Sequence, residues 1–98
     1  MAASRSYEVL SIVRPDLDKA HLEQLLAKFQ EAINSSGGQF VKLDEWGTRV
    51  LAYPIKKFEK GYYFLMEFTA TPDQLKKIDE HFKLDGNILR YQIVRHDA

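Results

Sequence analysis

The stretch Gly61 to Ala70, GYYFLMEFTA, constrains the fold of this chain more than any other segment. It is rich in aromatic and aliphatic residues, which is typical of a strand inside a sheet. Because successive strand residues point to opposite faces, the stretch presents two separate sets of side chains. We therefore expect a face covered by helices, with Tyr62, Phe64, Met66 and Phe68 on it and Tyr63, Leu65 and Glu67 on the other face.

The residues after this strand predict the start of a helix. Thr71 can cap the helix with its hydroxyl, Pro72 suits the first helical position, and Gln74 is placed for a capping box. Another helix is predicted from Asp18 onward, with Asp16 or Asp18 as its N-cap, because apolar residues recur there at helical spacing. It should end at the segment SSGG, which follows a helix and is therefore interpreted as a C-cap and turn.

Three further segments have the character of strands: 7–14, 39–53 and 88–96. The second of them should contain a bulge or bend near Gly47. Pro54 indicates either an edge strand or a strand end at that position, because proline donates no ladder hydrogen bond. The resulting order is strand, helix, strand, strand, helix, strand. This order predicts an α+β fold of the ferredoxin-like, split βαβ type, a four-stranded antiparallel sheet with two helices on one face.

Composition limits the domain count and the compartment. The 98 residues, of which 45% are hydrophobic, suit a single domain spanning residues 1–98. The absence of cysteine fits a reducing compartment, so we expect a cytoplasmic protein. The N-terminus lacks a signal-peptide core and no apolar run reaches about 18 residues, so neither secretion nor a membrane span is expected.

No constellation of residues indicates catalysis. The three histidines fall in different elements without metal-ligand spacing, and the adjacent acids are best interpreted as solvated charges. The serines have no glycine-flanked elbow and no obvious base. We therefore expect no catalytic residues, no metal and no cofactor. The residues considered were His21, His81, His96, Asp44, Glu45, Asp79 and Glu80.

One functional alternative concerns the aromatic strand. The segment KGYYFLME resembles the strand on which RNA-recognition domains of this topology stack bases. That use would require Tyr62 and Phe64 to face solvent. Burial of each ring is worth about 1.5 to 3 kcal/mol, so core packing is the favoured interpretation and base stacking the alternative.

The one dense basic segment runs from Thr48 to Lys60, with four basic residues against one acidic in a chain of zero net charge. We expect Arg49 on the second strand, and Lys56, Lys57 and Lys60 on a mobile loop beside Tyr53. Such a cluster can neutralise RNA phosphates next to a flat ring. It can equally be a solvated segment that protects a sheet edge. The chemistry alone leaves both interpretations open.

A family resemblance favours the first interpretation. The run GTRVLAYPIK from Gly47 to Lys56, followed by Gly61 and Tyr62, resembles the signature of the bacterial-type small-subunit ribosomal protein S-six family. The segments 5–8 and 15–17 are similar to that family as well. The resemblance implies a ferredoxin-like fold, a place on the central domain of small-subunit ribosomal RNA, and pairing with ribosomal protein S-eighteen. It implies a cytoplasmic, ribosomal location, with no membrane or DNA as partner.

The resemblance also implies site residues. The expected RNA contacts are basic positions common in the family, namely Arg5, Arg49, Lys56, Lys57, Arg90 and Arg95. Apolar residues of the second strand are the expected partner contacts, namely Trp46, Val50, Leu51 and Tyr53. Strand alternation sends Leu51 and Tyr53 to one face, so both could instead be core residues. Val50 stands where many members carry a polar residue.

A different class of function stays open beside this one. Zero net charge and an uncovered sheet face also suit a small regulatory or ligand-binding module with the same fold. Saturable binding of a metabolite, without affinity for RNA or a ribosomal protein, would distinguish it.

Overall fold

The computed structural model describes residues 3–95, which form four strands and two helices. Strand β1 begins two residues earlier than predicted, and His96, predicted to end the last strand, lies outside the described residues. The order of elements is the predicted one. The bounds are β1 (Arg5–Val13), α1 (Lys19–Ser35), β2 (Gln39–Ile55), β3 (Phe58–Ala70), α2 (Pro72–Leu84) and β4 (Ile88–Arg95).

The four strands pair in the order β2-β3-β1-β4, and every pairing is antiparallel. In the centre of the sheet, Val9 of β1 lies opposite Met66 of β3 on one side and Ile93 of β4 on the other. Strands β2 and β4 are the edges, which agrees with the position of Pro54 in β2. The predicted ferredoxin-like α+β fold is confirmed.

The core lies between the sheet and the two helices. Phe29 of α1 stacks on Phe82 of α2 with ring centroids 4.2 Å apart, and the ring of Phe64 lies 6.3 Å from that of Phe29. Phe64, Met66 and Phe68 are at most 1% exposed, so β3 places its predicted apolar face on the helices. Base stacking on this face is therefore excluded: Phe64 has no exposed area, and half-buried Tyr62 donates a hydrogen bond to Glu45.

Both predicted helix caps are present. The Asp18 carboxylate accepts the backbone N–H of His21 at 2.8 Å, which identifies Asp18 rather than Asp16 as the N-cap of α1. In α2, Thr71 and Gln74 form the reciprocal capping box, with bonds of 2.9 and 3.3 Å. Gly37 follows α1 with φ +96, a left-handed conformation that favours glycine at a helix end. Neither α1 nor α2 combines the length and hydropathy of a membrane-spanning helix.

The expected basic loop between the second and third strands is instead the tip of a long hairpin. Strand β2 continues to Ile55 and β3 begins at Phe58, so only Lys56 and Lys57 form the turn. Lys60, predicted on the loop, lies in β3. Both turn lysines have positive φ, 48° and 72°, which type I′ hairpin turns require at their two central residues. The prediction of a longer loop that includes Lys60 was wrong, because lysine gives no sequence signal for a two-residue turn.

The alternative that Leu51 and Tyr53 are both core residues is correct for Leu51 and wrong for Tyr53. Leu51 is 8% exposed and lies close to Gly61, whereas Tyr53 is 58% exposed. The regular pairing of β2 with β3 shifts between Val50 and Ile55, so simple alternation does not hold there. The predicted irregularity near Gly47 is confirmed by a second register shift, between Glu45 and Gly47.

Candidate nucleic-acid interface

The sheet face turned away from the helices, here called the outer face, carries a stack of two rings and a guanidinium. Trp46 of β2 lies parallel to Tyr63 of β3, with ring centroids 6.3 Å apart and planes 6° apart. The guanidinium carbon of Arg49 lies 5.2 Å from the centre of the Trp46 ring. Together these side chains form a flat, positively charged surface that can hold a base or a partner's aromatic group.

This stack depends on the bulge in β2. Glu45 pairs with Phe64 and Gly47 pairs with Tyr63, so Trp46 is the extra residue of the bulge. Gly47 has φ +87, a conformation that side-chain-bearing residues rarely adopt. The bulge thus directs the indole toward Tyr63, and the side chain remains 39% exposed.

The tip of the hairpin approaches β4. The Arg90 guanidinium donates a hydrogen bond of 2.6 Å from Nη1 to the hydroxyl of Tyr53, across 37 positions of sequence. Arg90 pairs with Ile12 in the sheet, and Ile12 in turn pairs with Tyr63 of the outer face. Predicted site residues of the hairpin and of β4 are therefore brought together: Arg49, Lys56, Lys57 and Arg90 form what we call the hairpin-end cations.

The two remaining predicted cations lie at the opposite end of the sheet. Arg5 pairs with Ala70 at the start of β1, and Arg95 pairs with Tyr7 at the end of β4. The length of β1 separates them from the hairpin end, about 26 Å at ~3.3 Å per residue. Arg95 also shares a hollow with Lys76 and Asp79 of α2. The six predicted cations therefore belong to two separate surfaces.

The hairpin-end cations lack acidic partners, unlike a nearby arginine. Arg14 donates two hydrogen bonds of 2.7 Å to the Asp16 carboxylate, which lowers the pKa of Asp16. No such ion pair with a carboxylate joins the hairpin-end cations to any of residues 3–95. Their charge is therefore available to an external anion.

Two tyrosines on the helix side of the sheet are held neutral. Burial is the main cause that raises the pKa of Tyr62 to about 12, and its hydrogen bond of 2.7 Å to Glu45 adds to the effect. Burial likewise raises the pKa of Tyr91 to about 12, assisted by a bond of 2.7 Å to Asp79. Both hydroxyls act as structural donors.

The predicted partner residues differ in accessibility. Val50 is 72% exposed and Tyr53 58%, and both belong to the edge strand β2. Leu51 of the same strand is buried, so it offers a partner little area. Tyr63 was missed as a site residue, although alternation along β3 already placed it on the outer face. Within residues 3–95 there is no group of three or more metal-ligating side chains.

The fold and this surface define a class of protein: a small ferredoxin-like α+β domain with a cationic, aromatic sheet face. Residues 6–95 match the family described as Ribosomal protein S6. The chain is 40% identical to small ribosomal subunit protein bS6 of Caldanaerobacter subterraneus over 95% of this chain and 98% of that protein. It is 41% identical to bS6 of Clostridioides difficile, over 92% and 97% of the two chains.

The solved structures agree with this assignment. The crystal structure of 30S ribosomal protein S6 from Thermotoga maritima superposes with a TM-score of 0.89 at 27% identity, and the match covers 96% of this chain and 89% of that one. The chain therefore belongs to the ribosomal protein S6 family, which confirms the resemblance found in the sequence.

Proposed function

We propose that this chain is a structural, non-enzymatic constituent of the small ribosomal subunit in the cytoplasm, and that it binds the central domain of small-subunit ribosomal RNA together with ribosomal protein S-eighteen. The observation that carries the proposal is the family match over residues 6–95. The relatives named above are small ribosomal subunit proteins. The unpaired hairpin-end cations beside an exposed ring stack support the RNA contact.

In this proposal the cations act on phosphate. Lys56 and Lys57 project from the hairpin turn, and Arg49 and Arg90 flank the outer face. Each phosphate contact releases counterions, so binding should weaken as salt rises. With so few contacts on a chain of zero net charge, the RNA affinity of the isolated chain should be low. Arg5 and Arg95 would serve a second RNA segment at the far end of the sheet.

The partner would use the edge strand. Trp46, Val50 and Tyr53 are exposed along β2, and aromatic side chains are frequent centres of protein interfaces. Tyr53 also bonds to Arg90, so a partner seated on Tyr53 would help to fix an RNA-binding arginine. This arrangement couples the two binding events, because the partner and the RNA share one hydrogen-bonded pair of side chains.

The test measures binding of a central-domain ribosomal RNA fragment by the full chain, alone and with ribosomal protein S-eighteen, at one salt concentration. We expect the partner to tighten binding at least tenfold, which corresponds to ~1.4 kcal/mol of coupling. Tyr53→Phe removes only the hydroxyl that holds Arg90 and should reduce this coupling, whereas Tyr63→Phe leaves the Arg90 bond intact. Equal affinity with and without the partner would contradict the proposal.

A further inference from the structure

A groove beside the hairpin tip collects three cations from three separate elements. It measures about 300 Å³ and is bounded by Lys56 of the turn, Lys83 of the last turn of α2, and Arg90 of β4. Its remaining walls come from Phe82, Ile88, Leu89 and Tyr91, so none of the seven lining residues is acidic. The groove therefore brings three cationic residues to one concave surface without an acidic residue in its lining.

Two cations outside this groove are paired with carboxylates. Lys28, on the neighbouring helix, pairs with Asp85 at 3.0 Å, and Arg14 pairs with Asp16 at 2.7 Å. Among residues 3–95, neither Lys56 nor Lys83 has a carboxylate partner, and the only side-chain bond of Arg90 is to the Tyr53 hydroxyl. Like charges on one concave surface repel each other, and an anion in the groove removes that repulsion.

The position of Arg90 connects the groove to the outer face. Its backbone pairs with Ile12 in the sheet, its guanidinium bonds to Tyr53, and the residue is one of those that line the groove. The bond from Nη1 to Tyr53 fixes the guanidinium and leaves its other N–H groups free to donate. A strand of RNA that leaves the stack of Trp46 and Arg49 would meet this guanidinium next and then enter the groove.

We infer that this groove is a phosphate site for the RNA backbone, and that Lys83, which the sequence did not single out, is a further RNA contact. The inference rests on the proposed function and adds one element to it, the C-terminal end of α2. Lys83 brings an ammonium on a flexible side chain to the groove, and Arg90 supplies a guanidinium that Tyr53 holds in place.

The test compares Lys83→Gln with Lys77→Gln, a matched loss of an exposed lysine from the same helix outside the groove. Both full-length variants are assayed with ribosomal protein S-eighteen and the RNA fragment over a salt series. Lys83→Gln should weaken binding roughly three- to tenfold and lower the salt slope by about 0.7 to 0.9, while Lys77→Gln should match the wild type. Lys83→Arg keeps the positive charge and should bind the RNA with the affinity of the wild type.

The outcomes separate the two proposals. If the wild type binds the RNA and both glutamine variants bind equally well, the groove inference is overturned and the proposed function stands. If the wild type fails to bind, both are overturned. A parallel titration uses pyrophosphate alone: binding that depends on Lys83, with RNA affinity that does not, would assign the groove to a small anion and overturn its role in RNA binding. Urea unfolding of each variant confirms that the fold is intact.

Discussion

The hairpin turn holds two lysines in a conformation that lysine disfavours. Lys56 and Lys57 have φ of 48° and 72°, in the left-handed region. That region costs a residue with a side chain roughly 1 to 2 kcal/mol, whereas Asn-Gly adopts a type I′ turn readily. Replacement of both lysines (Lys56→Asn with Lys57→Gly) should therefore stabilise the protein by about 1 to 2 kcal/mol. In a domain of this size, each kcal/mol raises the melting temperature by about 4 to 8 °C.

The same replacement should impair RNA binding, because it removes two of the hairpin-end cations. We expect the affinity to fall about equally for different RNA sequences, and the salt slope to drop by roughly 1.4 to 1.8. A second double variant, Lys56→Gln with Lys57→Gln, separates charge from backbone conformation. It loses the same two charges but keeps side chains in the turn, so it should show the same binding defect without the gain in stability.

Urea unfolding and salt-dependent RNA binding with the partner present measure the two effects on the same samples. A loss of stability in the Asn-Gly variant would refute the assignment of a strained turn. If the Asn-Gly variant gains stability but neither variant changes the salt slope of RNA binding, these lysines only protect the sheet edge. Opposite changes in stability and binding would show that the turn keeps its lysines for their charge.

Three further changes test the packing around the site. Ser11 is fully buried in the core, and its hydroxyl has no hydrogen-bond partner among the described residues. Ser11→Ala should therefore stabilise the protein by about 1 kcal/mol, as measured by urea unfolding. A marked loss of stability would contradict this. A Cβ on Gly61 would overlap Cγ2 of Ile12, so Gly61→Ala should destabilise the protein by about 1 to 3 kcal/mol. A smaller loss of stability in an Ile12→Ala background would confirm that this overlap is the cause. Folding raises the pKa of Tyr62 from 10 to about 12. The protonated Tyr62 hydroxyl therefore contributes fully to the stability of the fold below pH 10, and this contribution is lost as the pH rises to about 12. Tyr62→Phe should make the alkaline loss of stability smaller, whereas an identical pH profile would exclude this role.

Local signals predicted most of the fold. Asp18 and Thr71 cap their helices because short polar side chains satisfy backbone donors within three residues, which the sequence shows directly. Alternation along β3 identified its buried face, since that face depends only on neighbouring residues. Gly47 marked the bulge because few other residues tolerate its conformation.

Which residues lie together in the candidate site depends on long-range contacts, and the sequence alone does not predict them. The bond between Tyr53 and Arg90 joins residues 37 positions apart, and it follows from the bend of the hairpin over the sheet. Arg5 was grouped with Arg49 because both are basic positions common in the family, yet strand register places them at opposite ends of the sheet. The turn at Lys56 and Lys57 contains no glycine or asparagine, so the sequence did not predict it.

The central claim, that this chain is a constituent of the small ribosomal subunit, is tested most directly by the location of the chain in the cell. Ribosomes from the organism that produces it are purified at moderate salt, their subunits are separated on a sucrose gradient, and the chain is quantified in each fraction by mass spectrometry. We expect the chain to sediment with the small subunit in an amount equal to other small-subunit proteins. Its absence from those fractions, with other small-subunit proteins retained, would show that the chain is not a constituent of the small subunit.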